Sequence, residues 1–381
     1  RTMNYELSED QVAFEALASQ FAANALAPYA AQWDRESYFP KSAFQAAGAL
    51  GFMALYTPEK DGGTGLNRTD ASIIMEQLAG GCTASAAYIS IHNMALNMLA
   101  CYGANDVKEE WCVPLATGEK LASYCLTEAG AGSDAGSIKT KAERHGEHYL
   151  LNGSKAFISG AGETDLLIVM ARTGEEGPRG ISAFAVPSMT DGISYGKKEH
   201  KMGWNCQPTA TISFDNVLVP AKNMLGANGQ GFKIAMEGLD GGRLGIGACS
   251  VGTAQAALDT SIAYVKERKQ FGSSLSDFQI TQFKLADMAT EVTAARQMIR
   301  FAASKYDNGS PDRTSYCAMA KRFATDVGFQ VCNEALQLHG GYGYISEYPL
   351  ERHVRDTRVH QILEGTNEIM RLIIARRLLQ E

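Results

Sequence analysis

Apolar positions along this chain follow three rhythms in turn. From residue 5 to about 120 they recur every three or four residues, the spacing that lines one face of a helix. Ser8-Glu9-Asp10-Gln11 has the form of a capping box, and Phe14, Leu17 and Phe21 follow it on one face. Pro28 ends or kinks that helix, and Phe39-Pro40-Lys41 opens another. Residues 61–65, Asp-Gly-Gly-Thr-Gly, read as a loop, and 70–78 and 86–102 as helices with little polar surface. From 120 to about 220 the rhythm changes to short β-branched segments separated by Gly, Asn, Asp or Pro. Asn152-Gly153 is a turn signal, 165–171 a buried-type strand, and 181–186, 209–214 and 217–219 continue the series. After Gly229-Gln230-Gly231-Phe232 the helical period returns in four long segments, 232–269, 278–308, 313–339 and 367–381. Glycines 238, 241, 242, 245 and 247 weaken the first of these. Gly241-Gly242 is expected to break or distort it, or to let something approach the backbone closely.

The expectation is therefore a multidomain α+β protein. It comprises an all-α domain (1–119), an antiparallel β domain of sandwich or barrel type (120–229), and a C-terminal four-helix bundle (230–381). A length of 381 residues agrees, because a single core rarely grows so large. Composition adds exclusions. A net charge of −7 without any basic run argues against nucleic acid. The longest apolar run, 165–172, is strand-sized, which argues against membrane insertion. Residues 1–4 read as neither signal nor transit peptide, as expected of a bacterial cytoplasmic protein or a processed mitochondrial matrix one. Eight cysteines without a CxxC pair, and histidines without HxxxH spacing, give no metal site.

Several stretches could carry chemistry. Residues 124–134, Tyr124-Cys125-Leu126-Thr127-Glu128-Ala129-Gly130-Ala131-Gly132-Ser133-Asp134, could bring backbone N–H groups against a ring or phosphate, yet they lack the dinucleotide fingerprint. In Phe157-Ile158-Ser159, strand alternation places the aromatic and the serine on one face, able to cover a flat ring. Asp240-Gly241-Gly242-Arg243 and Glu267-Arg268 set arginines beside helix interruptions, where local ion pairs are the common outcome. Gln337-Leu338-His339-Gly340-Gly341 ends a long helix. Finally, 360–371 places Glu364 between an apolar pair and Gly365, with Thr366-Asn367 able to cap a helix from Glu368. Alone, each reads as readily as an ordinary loop or helix end.

Their order along an α–β–α chain resembles the acyl-CoA dehydrogenase family over essentially the whole length. Residues 89–93, 152–163 and 203–209 are most similar to its branched-C4 members. The resemblance implies FAD as cofactor and an acyl-CoA as substrate. It implies cofactor contacts from Tyr124, Cys125, Leu126, Thr127, Gly132, Ser133, Phe157, Ile158, Ser159, Thr366, Asn367 and Glu368. Arg268, Phe278, Gln279, Gln337, Leu338, His339, Gly340 and Gly341 would hold its adenosine diphosphate half across an interface, in a homotetramer. Acyl-CoA contacts are implied for Ser133, Asp240, Gly241, Gly242, Arg243 and Arg376, and the catalytic base for Glu364. Some relatives carry the base just before the arginine matching Arg243; here Gly242 stands there. Most carry tryptophan where Phe157 stands. Isobutyryl-CoA is the implied substrate and an electron-transfer flavoprotein the implied acceptor. Open beside it are 2-methylbutyryl- or butyryl-CoA, an oxidase or monooxygenase using O₂, and a flavin-free binding protein. Tyr88, Ile91, Met94, Gly238, Tyr344 and Leu363 are expected to shape the acyl pocket.

Overall fold

The computed structural model describes residues 6–380; the reading of residues 1–4 lies outside them. The chain opens with α1 (Glu9–Phe21), α2 (Ala30–Glu36), α3 (Lys41–Ala49), α4 (Arg68–Gly81), α5 (Thr83–Tyr102) and α6 (Asn105–Ala116). The capping box forms as expected: the Ser8 hydroxyl accepts from the Gln11 N–H, and the Gln11 side chain accepts from the Ser8 N–H. Helix α5 is buried along nearly its whole length, with Tyr88, Ile89 and Ala95 fully inaccessible.

The strands are β1 (Ala122–Cys125), β2 (Lys141–His145), β3 (His148–Ser159), β4 (Leu166–Arg172), β5 (Ile181–Pro187), β6 (Ile193–Tyr195), β7 (Thr209–Pro220) and β8 (Met224–Leu225). They form one sheet in the order β6-β7-β3-β2-β4-β5-β8, with β1 added beside β4. Most pairings are antiparallel, but β4 runs parallel to both β1 and β2, so the sheet is mixed. Alternation along β4 splits its residues between two cores. Leu166, Ile168 and Met170 pack with α5 and α6, whereas Leu167, Val169 and Ala171 pack on the opposite face with Phe184 and Val219.

Asn152-Gly153 does not make the expected turn. It is a bulge inside β3, where the Asn152 amide accepts from the Asn216 N–H at 2.8 Å and holds β7 across the irregularity. The β2–β3 hairpin instead turns at Gly146, whose φ is +61°.

The C-terminal helices are α7 (Gly231–Glu267), α8 (Gln279–Asp307), α9 (Arg313–His339), α10 (Gly341–Tyr344), α11 (Leu350–Arg358) and α12 (Asn367–Gln380), with a small ribbon of β9 (Lys269–Gln270) and β10 (Ser273–Ser274) after α7. Helices α10 and α11 lie outside the four periodic segments. The glycines do not break α7, which is continuous. They admit neighbours instead: a Cβ at Gly241 would meet the Arg68 guanidinium, and one at Gly242 would lie 2.6 Å from Glu364 Oε2. The helix tolerates their propensity cost of about 1 kcal/mol each because flanking residues are buried against α4, α5 and α9. One core joins the first and last helical domains through Phe21, Leu78, Ile246 and Ala324. Among the described residues no helix is long and apolar enough to cross a membrane.

Candidate functional site

A cavity of about 700 Å³ lies between the edge of the sheet and the start of α7, closed by the segment before α12. Strand β1 reaches it with alternate residues. Tyr124 and Leu126 line it, while the Cys125 side chain points to the far face of the sheet and packs with Leu167 and Val169. The expectation for Cys125 is thereby corrected: its side chain does not reach the cavity. Thr127, Gly132 and Ser133 continue the lining, and nothing lies within 4 Å of a Cβ built on Gly132.

What holds this loop is Glu128. Its carboxylate accepts from the Lys139 N–H at 2.6 Å, the Thr140 N–H at 3.0 Å and Lys155 Nζ at 2.8 Å. Lys155 also donates to Leu126 O at 3.0 Å. Burial alone would raise the Glu128 pKa, but the Lys155 charge and these hydrogen bonds outweigh it and leave it lowered.

Phe157, Ile158 and Ser159 all line the cavity. Ile158 borders the cavity but packs in the far-face core with Cys125 and Ala210. Phe157 and Ser159 therefore share the cavity side as alternation expects, although Phe157 has φ +56° and the β3–β7 register shifts between Lys155 and Ile158. The Phe157 ring is 68% exposed, unusual for an aromatic of this size.

Glu364 closes the cavity from the C-terminal side. Its backbone is left-handed (φ +53°) and Gly365 follows at +89°, a tight reversal that glycine permits and glutamate tolerates at a cost of order 1 kcal/mol. Three anchors hold this reversal. Arg243 Nε donates to Glu364 O at 3.1 Å, Lys321 Nζ donates to Gly365 O at 2.8 Å, and Lys321 also reaches Asn367 Oδ1 at 2.9 Å. The Thr366 hydroxyl then accepts from the Ile369 N–H at 3.2 Å, which is the cap expected for α12. The residue as a whole is half-buried, yet both carboxylate oxygens are inaccessible and have no hydrogen-bond partner among the described residues. Burial pushes the carboxyl pKa up to about 7, an effect that Lys321 and Arg243 partly offset.

The structure separates other expected residues from this cavity. Asp240 is bound to Arg243 at 2.9 Å and to the Thr314 hydroxyl at 2.6 Å, and Gly241 abuts Arg68, so neither lines it. Gly242 touches it only through its closeness to Glu364. Arg243 and Arg376 do line it. Asn367 turns inward, where its amide donates to Asp326 and Thr325, so its side chain has nothing left for a ligand. Thr366 and Glu368 also lie outside the lining. Of the expected acyl-pocket residues, Ile91, Met94 and Leu363 line the cavity. Tyr88 is fully buried with its hydroxyl on Ala122 O, Gly238 abuts Met98, and Tyr344 is exposed, so these three do not.

Arg268 and Gln337, Leu338, His339, Gly340 and Gly341 come together elsewhere, around a second cavity of about 490 Å³. The His339 ring stacks on Tyr264 at 4.1 Å, and Arg268 lies 5.4 Å from the Tyr342 ring centre. Phe278 and Gln279 stand at the start of α8, outside both cavities.

Sequence reasoning missed Lys321, Trp204, Phe232, Met236, Leu239 and Ile369. Phe232, Met236, Leu239 and Ile369 lie in ordinary helical core spacing, and Trp204 stands in the 203–209 loop without a local sign of its place. Lys321 alone carried a signal, a cation on the apolar face of a helix.

The residues fit an FAD cofactor. The first cavity is roomy, and the exposed Phe157 and the open Gly132 cradle can accept a flat ring. The Tyr124 hydroxyl is buried there without a hydrogen-bond partner among the described residues.

Comparisons with known proteins agree. Family models described as the N-terminal, middle and C-terminal domains of acyl-CoA dehydrogenase match residues 8–119, 123–217 and 229–379. Isobutyryl-CoA dehydrogenase of Bos taurus is 52% identical over 98% of this chain and 90% of its own length. Acryloyl-CoA reductase (NADH) of Anaerotignum propionicum is 42% identical over 100% and 97%. The structure of butyryl-CoA dehydrogenase from Megasphaera elsdenii superposes with a TM-score of 0.95 at 41% identity, covering 99% of this chain and 100% of that one. With this sequence match along its whole length and a cavity that suits the flavin, the chain belongs to the acyl-CoA dehydrogenase family and is an enzyme of it, with FAD as cofactor and an acyl-CoA as substrate.

Proposed function

We propose that this enzyme removes the α and β hydrogens of a short branched acyl-CoA, converting isobutyryl-CoA to methacrylyl-CoA, with Glu364 as the general base. One observation carries the reading: a carboxylate without hydrogen-bond partners, buried on the cavity wall with a pKa near 7. An α-C–H is a weak acid, so a base whose proton affinity is raised by burial is matched to it, and no protein donor blocks the carboxylate. FAD, when bound, supplies the two-electron oxidation at the β-carbon.

The other roles belong to the chain. Glu364 takes the α-proton on a carboxylate oxygen, while its backbone N–H stabilises the thioester oxygen as enolate charge develops. Arg243 and Lys321 keep the base loop in its left-handed turn. Thr127, Ser133, Phe157, Ile158 and Ser159 hold the flavin, and Arg376 meets the acyl-CoA.

The same proposal divides the chain at 119/120 and 229/230, in line with the α–β–α order. It also makes the second cavity half of a site that another subunit completes, in a homotetramer. The exposed Phe271 (97%), Ile280 and Phe283 near that end supply apolar surface for such an interface. Electrons leave to an electron-transfer flavoprotein.

Branched substrate choice is supported by the 52% relative. The test is initial rates on isobutyryl-, 2-methylbutyryl- and butyryl-CoA with a dye acceptor, alongside peroxide release. Isobutyryl-CoA should give the highest kcat/KM and little peroxide. A tenfold preference for butyryl-CoA would move the substrate to the straight chain, and stoichiometric peroxide would make the enzyme an oxidase.

A further inference from the structure

Trp204 stands on the wall of the large cavity, yet its position is fixed from behind by three other elements. Its backbone is left-handed (φ +56°), a conformation a bulky residue adopts only when its surroundings impose it. They do. Gly203 lies flat against the backbone of Arg355, where a Cβ would come within 2.5 Å of the carbonyl. The Trp204 N–H donates to Asp356 Oδ1 at 2.7 Å, so α11 holds the turn twice. Gln207, three residues on, donates to Ala84 O at 3.0 Å and ties the same turn to α5.

The indole has its own anchor. Its Nε1–H is only a donor, so His360 Nε2, 3.1 Å away, must be the acceptor. That assigns the proton of a neutral imidazole to Nδ1, which donates to Ser250 Oγ at 2.7 Å; Ser250 in turn donates to Ile246 O at 3.1 Å. Every member of this chain is fully buried or nearly so. Burial lowers the His360 pKa to about 3, in keeping with a ring that stays neutral across the working range. The chain therefore has one direction, and the indole cannot swing without leaving a buried acceptor unpaired. His360 also opens the short segment that ends in Glu364, so wall and base hang from one stretch of backbone.

We propose that Trp204 is a specificity-determining wall of the acyl site, and that His360 and Ser250 are positioning residues that lock its indole in place. This rests on the acyl-CoA reading above. A ring that cannot rotate limits the size and branching of the acyl chain beside it. A ring free to move would admit longer or bulkier chains.

The test uses the FAD-loaded enzyme and the ratio of kcat/KM for isobutyryl-CoA to that for hexanoyl-CoA. Trp204→Phe and His360→Phe are expected to lower this ratio at least tenfold, mostly through KM, at unchanged flavin content. His360→Gln, which can still accept from the indole, should restore it to within about threefold of wild type. Ser250→Ala should move it a few-fold in the same direction. His360→Phe added to Trp204→Phe should change it no further, because the wall it positions is already gone. If His360→Phe does not fold, Trp204→Phe and Ser250→Ala carry the comparison. A ratio within twofold of wild type in folded Trp204→Phe overturns the wall. An additive effect of the two substitutions, or no rescue by glutamine, overturns the lock. Failure of the acyl-CoA reading would show separately, as a wild-type enzyme inactive on every thioester.

Discussion

Glu128 and Glu364 are both glutamates with carboxylates withdrawn from water, and both lie beside the same cavity, yet the chain treats them oppositely. Glu128 receives two backbone N–H groups and a buried ammonium, and its pKa falls despite burial. Glu364 receives no hydrogen bond at its carboxylate among the described residues, and its pKa rises to about 7. The cations near Glu364 are spent on backbone and neighbouring groups instead: Arg243 on Glu364 O and Asp240, Lys321 on Gly365 O and Asn367. A carboxylate that holds structure is saturated with donors. The one proposed to accept a proton is held by its backbone and left bare at its oxygens. Burial by itself does not distinguish them; the destination of the nearby hydrogen bonds does.

Removing each carboxylate's chemistry should therefore do different damage. Glu364→Gln keeps shape and removes the proposed proton acceptor, so turnover should fall by roughly 10²–10⁴-fold with flavin content and melting temperature unchanged. Steady-state dye reduction checks this, and near-wild-type turnover would sink the assignment. On the other side, Lys155→Met leaves Glu128 charged, buried and short of its cation. Stability should drop by about 3–5 kcal/mol, seen as a lower denaturant midpoint. Only part of it should return in a Lys155→Met/Glu128→Leu double variant, where no buried charge is left over but the Lys139 and Thr140 N–H groups lose their acceptor.

Neither glutamate's purpose is legible in its own stretch of sequence. Residues 124–134 stand out as a small-residue loop, but Glu128 gains meaning only through Lys155, brought to it by strand pairing that no local pattern specifies. At 360–371 the tight turn and the cap are local, so the sequence carries them, whereas the role proposed for Glu364 came only with the family resemblance. The three-part fold was legible for the same reason, since periodicity is a local property. The errors came where distant contacts overrule the local pattern. Gly241-Gly242 stay helical because α4 and the base loop pack onto them. Beside Phe157 the strand is irregular because β7 shifts register between Lys155 and Ile158. Asn152-Gly153 bulges because Asn216 lies opposite.

Gly242 allows a narrower test of how bare the base must be. A methyl there would sit 2.6 Å from Glu364 Oε2 and 3.0 Å from Met94 Sδ, so the carboxylate has to move. Gly242→Ala should cost about 10²-fold in kcat by displacing the base. Because alanine favours the helix by about 1 kcal/mol, stability should hold or rise while activity falls. Retained activity would mean that the observed position of the carboxylate is not the reacting one.

The smallest effect isolates the charge behind Glu364 from the hydrogen bonds that shape its loop. The groups that face this carboxylate are Arg243 from α7, Lys321 from α9, Tyr124 from β1 and the more distant Tyr56 and Cys249. Only the two cations are charged near neutrality, and both favour the ionised base. Because Glu364, as the proposed base, would have to be ionised to take a proton, kcat/KM should rise with pH through about 7 in the wild type. Lys321→Gln can still donate to Gly365 O and Asn367 Oδ1 but carries no charge. Without that charge the folded-state pKa of Glu364 climbs further, so the rise should move to higher pH by roughly half a unit to one unit. Burial holds the Lys321 pKa down to about 8, so wild type and variant should converge above that pH, where the lysine has lost its proton as well. A pH–rate profile in which Lys321→Gln lowers the plateau without moving the midpoint would assign Lys321 to the shape of the loop and leave Arg243 as the cation that sets the base.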